Sequence, residues 1–462
     1  MPEPSSVRDR RSNAESAWEL DDAIVVIPSG APVPIAGTDQ SHDFHAHGEH
    51  YYLSGVAEPS AVLTLDGDNG WTLFSYQPPA AEQVWTGPGL SFDKIRTNSG
   101  LDSVRPLVEL ASWLEVHRGR KVALLGNHDI QASPGGYGLS SWSALELDVN
   151  GDLGRRCSEE LDALRRAKDI PEQHHMRDAA LASHEGHLVG MRLARPGMTE
   201  RALQVEIEAE FFRAGGDRTA YGSIVGGGPN SATLHFAPKQ RAFRDGDLIL
   251  VDAGAEVAGY ASDVTRTYPV GPAFTGIQRD LYELVLDVQT AAIRDARPGK
   301  EYKELHLEAS GRIAAGLVDL GILRGQADEL VERDVQALFF PHGLGHMLGL
   351  ATHDVGGCLV GRDTGSRPTL QYLRADLPLQ PGYVVTVEPG IYFIRTLLED
   401  PVAREKHGDA VNWDRVDELI DFGGIRIEDD VLITETGAEV LSAATPKSMA
   451  EIEKIRQEAL SL

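Results

Sequence analysis

Three histidines, His342, His346 and His353, lie in the glycine-rich run PHGLGHMLGLATHDVGG at residues 341–357. Spacings of four and seven would set all three on one face of a helix. The glycines argue against an undisturbed helix, at roughly 1 kcal/mol each relative to alanine. Two readings stand: surface histidines on a loose loop, or a backbone that passes close to a ligand with imidazoles aimed at it. Carboxylates supply the other half of the chemistry. Asp252 lies at the end of the apolar run DLILVDAG, and Asp263 begins DVTRTYPV. A hairpin centred between Val257 and Ala258 sets the two acids opposite each other on one face, Cβ atoms roughly 4.5–5.5 Å apart. Facing carboxylates repel and need a proton or a cation between them. Glu388 ends YVVTVEPG, and in GGIRIEDDVLIT Ile425 and Ile427 alternate with Arg426 and Glu428. Singly, each acid has an ordinary structural reading. Four carboxylates and one imidazole together form an oxygen-rich donor set for two divalent metals, suited to Mn²⁺ and able to hold Co²⁺ or Zn²⁺. Neither Cys157 nor Cys358 lies in a ligand-like motif, which argues against a closed structural zinc site.

These residues are far apart in the chain, so folded elements must bring them together. Residues 171–462 alternate helical stretches, at about 176–194, 200–214 and 277–296, with the strand-like runs quoted above. Each helical stretch is followed by Gly or Pro punctuation, at Pro196-Gly197, Gly215-Gly216 and Pro298-Gly299. This texture predicts an α+β catalytic domain. Residues 1–155 read as a smaller mixed α/β domain, with strands in AIVVI (23–27), AVLTL (61–65) and KVALL (121–125) and a helix over 103–117. Residues 156–170 read as a linker helix, stopped by Pro171.

A net charge of −27 disfavours nucleic acid or an anionic membrane as the main partner, since both call for basic surface. The polar start, MPEPSSVRDRRS, has no apolar h-region, and no apolar stretch reaches membrane-spanning length. Two cysteines suggest no disulfide framework, and the expectation is a cytoplasmic protein with reduced thiols.

The ordered series LHF, VDAG, SDVTRTYPV, HGLGHMLGLATHDVGG, TVEPGIY and GGIRIEDDV resembles the creatinase-like "pita-bread" metallopeptidases, in their proline-specific branch of prolidase and aminopeptidase P. The likeness runs from about 171 to 447, and YYLSGVAEPSAVLTL (51–65) with VWTG (84–87) resembles that branch's N-terminal domain. The resemblance implies that Asp252, Asp263, His346, Glu388 and Glu428 hold two divalent ions, Asp263 and Glu428 serving both. It implies that His353 contacts substrate near the scissile bond and stabilises the tetrahedral intermediate, while Glu388 carries the proton. It places His235, His342 and Tyr221 along the substrate site and Arg426 beside the metal carboxylates. The implied substrates are proline-containing dipeptides or short peptides, and the implied assembly is a homodimer or homotetramer, with Trp85 and the His-rich 42–50 loop approaching a neighbouring subunit's site. Two features lean towards an Xaa-Pro dipeptidase. The 40 residues from Glu388 to Glu428 contain the segment 394–422, which resembles a prolidase insertion. Arg374 matches a prolidase arginine that holds the dipeptide carboxylate. The alternative is an aminopeptidase P acting on longer peptides. One departure from the pattern is Ala351-Thr352, where an acidic residue and Val are expected before His353-Asp354.

Other motifs compete for attention. HDFHAHGEH (42–50) looks like a metal tract, but lacks carboxylate or thiolate patterning and reads better as a solvated or interface loop. DFH (43–45), GDNGW (67–71) and GNHD (126–129) echo dinuclear metallophosphoesterases, yet position 71 is Trp where an acid is needed. HEGH (184–187) is one residue short of the HExxH zinc spacing and reads as an ordinary helix face. A rival of another class is a non-catalytic binding module on the same scaffold. Loss of metal ligands would mark it, and all five are present.

Overall fold

The computed structural model describes residues 3–101, 103–126, 148–362 and 365–461. The chain divides into two compact units, residues 1–165 and 166–462.

The first unit is built on a five-stranded sheet formed by β1 (Ile24–Pro28), β2 (Val62–Asp66), β3 (Gly70–Ser75), β4 (Ser103–Pro106) and β5 (Val122–Leu124), in the order β4-β3-β2-β1-β5. The three apolar runs expected as strands are β1, β2 and β5. Ile24, Val26, Val62, Phe74 and Trp113 belong to the unit's apolar core. The helix expected over 103–117 begins late. Its first four residues are edge strand β4, parallel to β3, and the α-helix covers Leu110–Val116. Pro106 fits this placement, since proline within sheets is confined to edges and strand ends. Helix Gly151–Arg166 is tied to the N-terminal helix Pro4–Trp18 by the Trp18 indole donating to Cys157 O at 2.9 Å.

Pro171 does not stop that helix. It sits in the first turn of the next one, Ile170–Leu193, where a missing N–H costs nothing. Asp169 caps this helix reciprocally with Glu172, each side chain accepting from the other's backbone N–H at 2.9 Å.

In the second unit the strands are β6 (Arg218–Thr219), β7 (Ile224–Gly227), β8 (Leu248–Asp252), β9 (Ala255–Val257), β10 (Tyr260–Ala261), β11 (Thr265–Pro269), β12 (Val384–Val387), β13 (Gly390–Tyr392), β14 (Gly424–Arg426), β15 (Asp429–Ile433) and β16 (Ala438–Val440). They form small sheets ordered β10-β9-β6, β11-β8-β7, β12-β15-β16 and β13-β14. The helices Ile170–Leu193, Glu200–Arg213, Ile277–Asp295 and Tyr302–Asp319 share one apolar core with these strands, including Ile207, Phe211, Val285, Ile313, Val385 and Val431. Every residue of β8 and β12 is buried, which explains their continuous apolar runs.

The hairpin register differs from expectation. Asp252 pairs with Thr265, and Val257 pairs with Tyr260. The turn is Ala258-Gly259, both at positive φ (51° and 84°), as the tight turns that match strand twist require. Its centre lies one residue beyond the expected one, so Asp252 faces Thr265 instead of Asp263. The pairing shifts by an even number of residues, which keeps Asp263 on the Asp252 face as a diagonal neighbour. GGIRIEDDVLIT is likewise broken in two, β14 ending at Arg426 and β15 beginning at Asp429. Glu428 sits in the break, its N–H donating to Thr265 O at 3.1 Å.

Candidate active site

The glycine-rich run is not a helix. It is an irregular segment threaded between β12 and other backbone. A Cβ on Gly345 would lie 2.3 Å from Thr386 O, so only glycine lets this backbone pass against β12. That approach sets His346. Its N–H donates to Thr386 Oγ1 at 3.1 Å, and its Nδ1–H donates to Met347 O at 2.9 Å. With Nδ1 engaged, Nε2 faces the acids; burial opposes protonation of the ring, but the neighbouring Asp263 and Glu388 outweigh it and hold the pKa up, so a cation binding at Nε2 would displace a proton. Nε2 lies 3.4 Å from Asp263 Oδ2 and 3.7 Å from Glu388 Oε1. Donor atoms of Asp263, His346 and Glu428 all lie within 4.8 Å of one another, and all three residues are buried.

The acids come from strand ends, where side chains leave the ladder. Asp252 closes β8, Asp263 precedes β11, Glu388 follows β12, and Glu428 occupies the β14–β15 break. With protein groups alone this cluster is short of positive charge. Burial, offset in part by His346 and Arg426, pushes Glu388 up to about 7. Burial and the neighbouring Asp263, Glu388 and Asp252 hold Glu428 well above the ordinary carboxylate range. Asp252 is also raised by burial despite Arg426. Burial opposes ionisation of Asp263 too, but its hydrogen bond to His346 outweighs this and lowers it. Desolvated carboxylates in excess, with an oriented imidazole, are the donor set that divalent cations satisfy.

A polar frame surrounds the cluster. Arg426 Nη2 donates to Asp252 Oδ2 at 2.5 Å, Nη1 to Tyr392 OH at 2.8 Å, and Nε to Thr265 Oγ1 at 3.1 Å. Thr265 Oγ1 in turn donates to Glu428 Oε2 at 2.6 Å. Tyr392 OH meets His342 Nε2 at 2.8 Å, and His342 Nδ1–H donates to Gly343 O at 2.8 Å. Both nitrogens of His342 are committed, and burial beside Arg426 brings its pKa down to about 3. Tyr221 OH donates to Asp252 Oδ1 at 2.6 Å. His353 lies nearby, its ring centroid 4.4 Å from that of His346 and nearly perpendicular. Partial burial, then the charges of His346 and Arg374, bring His353 down to about 4. Arg374 and His235 are exposed residues close enough to oppose protonation of His353. At the departure noted above, Ala351 O accepts from Gly349 N (3.1 Å) and Thr352 Oγ1 donates to Ala220 O (3.4 Å), both loop contacts.

Among the described residues, the competing motifs form no metal cluster. His42 and His45 are exposed, His47 pairs with Pro28 O and His50 is buried against Ser54. Among the described residues, Asp263, His346 and Glu428 form the one group of three able to hold a metal. His187 of HEGH is buried, donating to Ala253 O at 3.0 Å. GNHD falls mostly outside the described residues. Among those described, no helix is long and apolar enough to cross a membrane.

Residues 174–435 match Metallopeptidase family M24, and residues 7–124 match Aminopeptidase P, N-terminal domain. The chain belongs to metallopeptidase family M24. It is 33% identical to human Xaa-Pro dipeptidase over 437 residues, covering 93% of this chain and 88% of the human one. It is also 33% identical to the Xaa-Pro aminopeptidase of Escherichia coli K12 over 452 residues, 92% of each chain. Pseudomonas aeruginosa aminopeptidase PepP matches with a TM-score of 0.81 at 32% identity, across 100% of both chains. A variant of Escherichia coli aminopeptidase P in complex with substrate also gives 0.81, at 30% identity, across 100% of this chain and 99% of that one. The M24 unit thus has the pita-bread architecture that the motifs imply, and in the sequence it follows an aminopeptidase P-type N-terminal domain.

Sequence reasoning missed Thr265, Tyr392 and Thr386. Each binds a site residue through a hydroxyl, and each sits in or beside one of the quoted motifs. A neutral hydroxyl carries no spacing signal of its own, and TVEPGIY was the only hint for Thr386 and Tyr392.

Proposed function

We propose that this M24 metallopeptidase hydrolyses Xaa-Pro bonds, acting as an Xaa-Pro dipeptidase, with Asp252, Asp263, His346, Glu388 and Glu428 holding two divalent cations. The oxygen-rich set suits Mn²⁺ and also fits Co²⁺ or Zn²⁺. When bound, the ions supply Lewis acidity, lowering the pKa of a water and polarising the scissile carbonyl. Glu388 takes the proton of the attacking water as the oxygen adds to the carbonyl carbon. It returns that proton to the prolyl nitrogen as the C–N bond breaks. His353, neutral at pH 7, donates an N–H to the tetrahedral oxyanion. Tyr221 and Arg426 hold Asp252 in place, and His342 and His235 line the substrate's path.

The observation that carries the dipeptidase reading is Arg374, an exposed arginine close enough for its charge to oppose protonation of His353. A free prolyl carboxylate would pair with it, whereas a longer peptide presents a neutral amide. The segment 394–422 supports the same reading, folded as the short helices Arg395–Leu398, Pro401–Lys406 and Trp413–Glu418. The second reading, aminopeptidase P, is favoured by the equal likeness to the Escherichia coli enzyme. Arg374→Ala should lower kcat/KM on an Xaa-Pro dipeptide by about 10- to 150-fold, the worth of a charge-assisted bond, and spare an Xaa-Pro-Xaa tripeptide. Equal losses on both substrates would remove Arg374 from the substrate site, and a wild-type preference for the tripeptide would favour aminopeptidase P.

The same reading includes a homodimer or homotetramer. Helix Ala80–Thr86 buries none of its residues and leaves Val84 77% and Trp85 81% exposed, a surface suited to a second copy. A monomeric mass by light scattering in a fully active sample would refute it. Both cysteines are free thiols, which supports a reducing, cytoplasmic setting.

A further inference from the structure

We infer that Lys168 is a positioning residue for His353, acting through a buried ion pair with Asp354; the inference rests on the Xaa-Pro peptidase reading for its kinetic consequence. Lys168 Nζ lies 3.1 Å from Asp354 Oδ2, with side chains only 1% and 2% exposed. Asp354 follows His353 directly. Among the described residues no hydrogen bond reaches the His353 ring, which packs edge-on against His346 with centroids 4.4 Å apart, so its placement depends on the backbone that carries it. That backbone is gripped from one side. Arg166 Nε donates to Gly356 O at 2.8 Å, and Lys168 takes Asp354, so two residues of one short segment hold both flanks of the turn after His353. Asp354 N donates to Met347 O at 2.9 Å, which folds the loop back onto the carbonyl that also orients His346. Lys168 is itself anchored. Its N–H donates to Gly382 O (2.8 Å), and Gly382 N donates to Ile433 O (2.9 Å) at the end of β15. A line of contacts therefore runs from β15 through Lys168 to the His353 turn.

Stability alone does not account for this pair. Removing two charges from water is costly, and well-packed apolar residues usually serve stability as well or better. What a buried pair supplies that apolar contact does not is a fixed position for the backbone carrying the acid. Gly349 belongs to the same device. A Cβ there would stand 2.2 Å from Asp354 Oδ2 and 2.8 Å from Lys168 Cε.

The test uses the full chain loaded with Mn²⁺ and compares Lys168→Met, Lys168→Arg and Asp354→Asn, each also in a His353→Ala background. Lys168→Met should lower kcat on an Xaa-Pro dipeptide by about 10- to 100-fold, the scale of a misplacement near 1 Å, with KM and metal content within about twofold. Lys168→Arg should recover most of the loss. In the His353→Ala background, Lys168→Met should cost nothing further, because its effect passes through His353. An equal fold loss in both backgrounds, or an unchanged kcat, would overturn the inference. Should Lys168→Met fail to fold, Asp354→Asn answers the same question, since it keeps a neutral acceptor and weakens the grip. A second readout needs no turnover. With diamagnetic Zn²⁺ loaded in place of Mn²⁺, which broadens nearby resonances away, the His353 imidazole NMR signal, assigned by its loss in His353→Ala, should shift in Lys168→Met and Asp354→Asn. If the wild-type chain cleaves no Xaa-Pro peptide, the functional reading falls and this signal alone decides the role of Lys168. An unmoved signal sinks it.

Discussion

Replacing Thr265 by Val isolates one bond of the frame around the carboxylates. The two side chains are nearly isosteric, so packing in this fully buried position is kept. Because Arg426 Nε donates to Thr265 Oγ1 (3.1 Å), the threonine proton is free to go to Glu428 Oε2 (2.6 Å). Thr265→Val deletes that donor and leaves Arg426 Nε unpaired. A hydrogen bond to a charged acceptor is worth roughly 1.5–3 kcal/mol. Glu428 already sits well above the usual carboxylate range through burial and three facing acids. Losing a donor that favours its charged form raises it further, so a proton competes harder with a cation for the same oxygens. We expect dication affinity to fall by about 10- to 100-fold, the usual scale for partners of metal ligands. Competition with a chromogenic chelator near pH 7.5 measures it directly. Thr265→Ser keeps the hydroxyl and should stay within about threefold of wild type, where threefold is roughly 0.6 kcal/mol at RT ≈ 0.59 kcal/mol. Thr265→Val binding metal as tightly as Thr265→Ser would show that this bond does not tune the site.

Gly349→Ala should destabilise the chain by roughly 1–3 kcal/mol through overpacking against Asp354 and Lys168, and its dipeptide kcat should fall as in Lys168→Met. An alanine variant with wild-type Tm and kcat would mean that the turn gives way easily. Metal binding should release protons, because Glu388 titrates near 7 and Glu428 above its ordinary range. Affinity should therefore rise from about pH 5.5 to about pH 8, and calorimetric enthalpies at about pH 6.5 should depend on the buffer's ionisation heat; buffer-independent enthalpies would contradict the raised carboxyls. The sign for the metal-free chain is opposite. An acid raised on folding contributes stability below its unfolded value near 4.5 and loses it as pH rises through about 7. Tm without metal should thus decline over that window, and a flat profile would argue against protonated Glu388.

What was legible in the sequence follows from which physical signals are local. The apolar runs ending in Asp252 and Glu388 declared both the strands and the acids at their ends, because burial on both faces leaves an unbroken hydrophobic string. The pairing of Asp252 was misread because Ala258 takes a positive φ that Asn or Gly normally advertises. Its consequence was mild, since an even shift preserves the face on which Asp263 lies. The β4 strand was hidden inside a helix-like run, where a two-residue proline cue at Arg105-Pro106 was the only warning.

Partners across long separations were not legible at all. Lys168 meets Asp354 across 186 positions, and Thr265 meets Glu428 across 163. Neither pair has a periodicity, and each exists only once strand register and loop path are set. The glycine-rich run shows the limit in one place. A glycine reports that something comes too close for a Cβ, but not what. At Gly345 the neighbour is the backbone of β12, which fixes the imidazole of His346; at Gly349 it is an ion pair that steadies the next histidine. The two glycines carry the same letter and the same helix penalty, and the difference between them lies wholly in the chain that folds back against each.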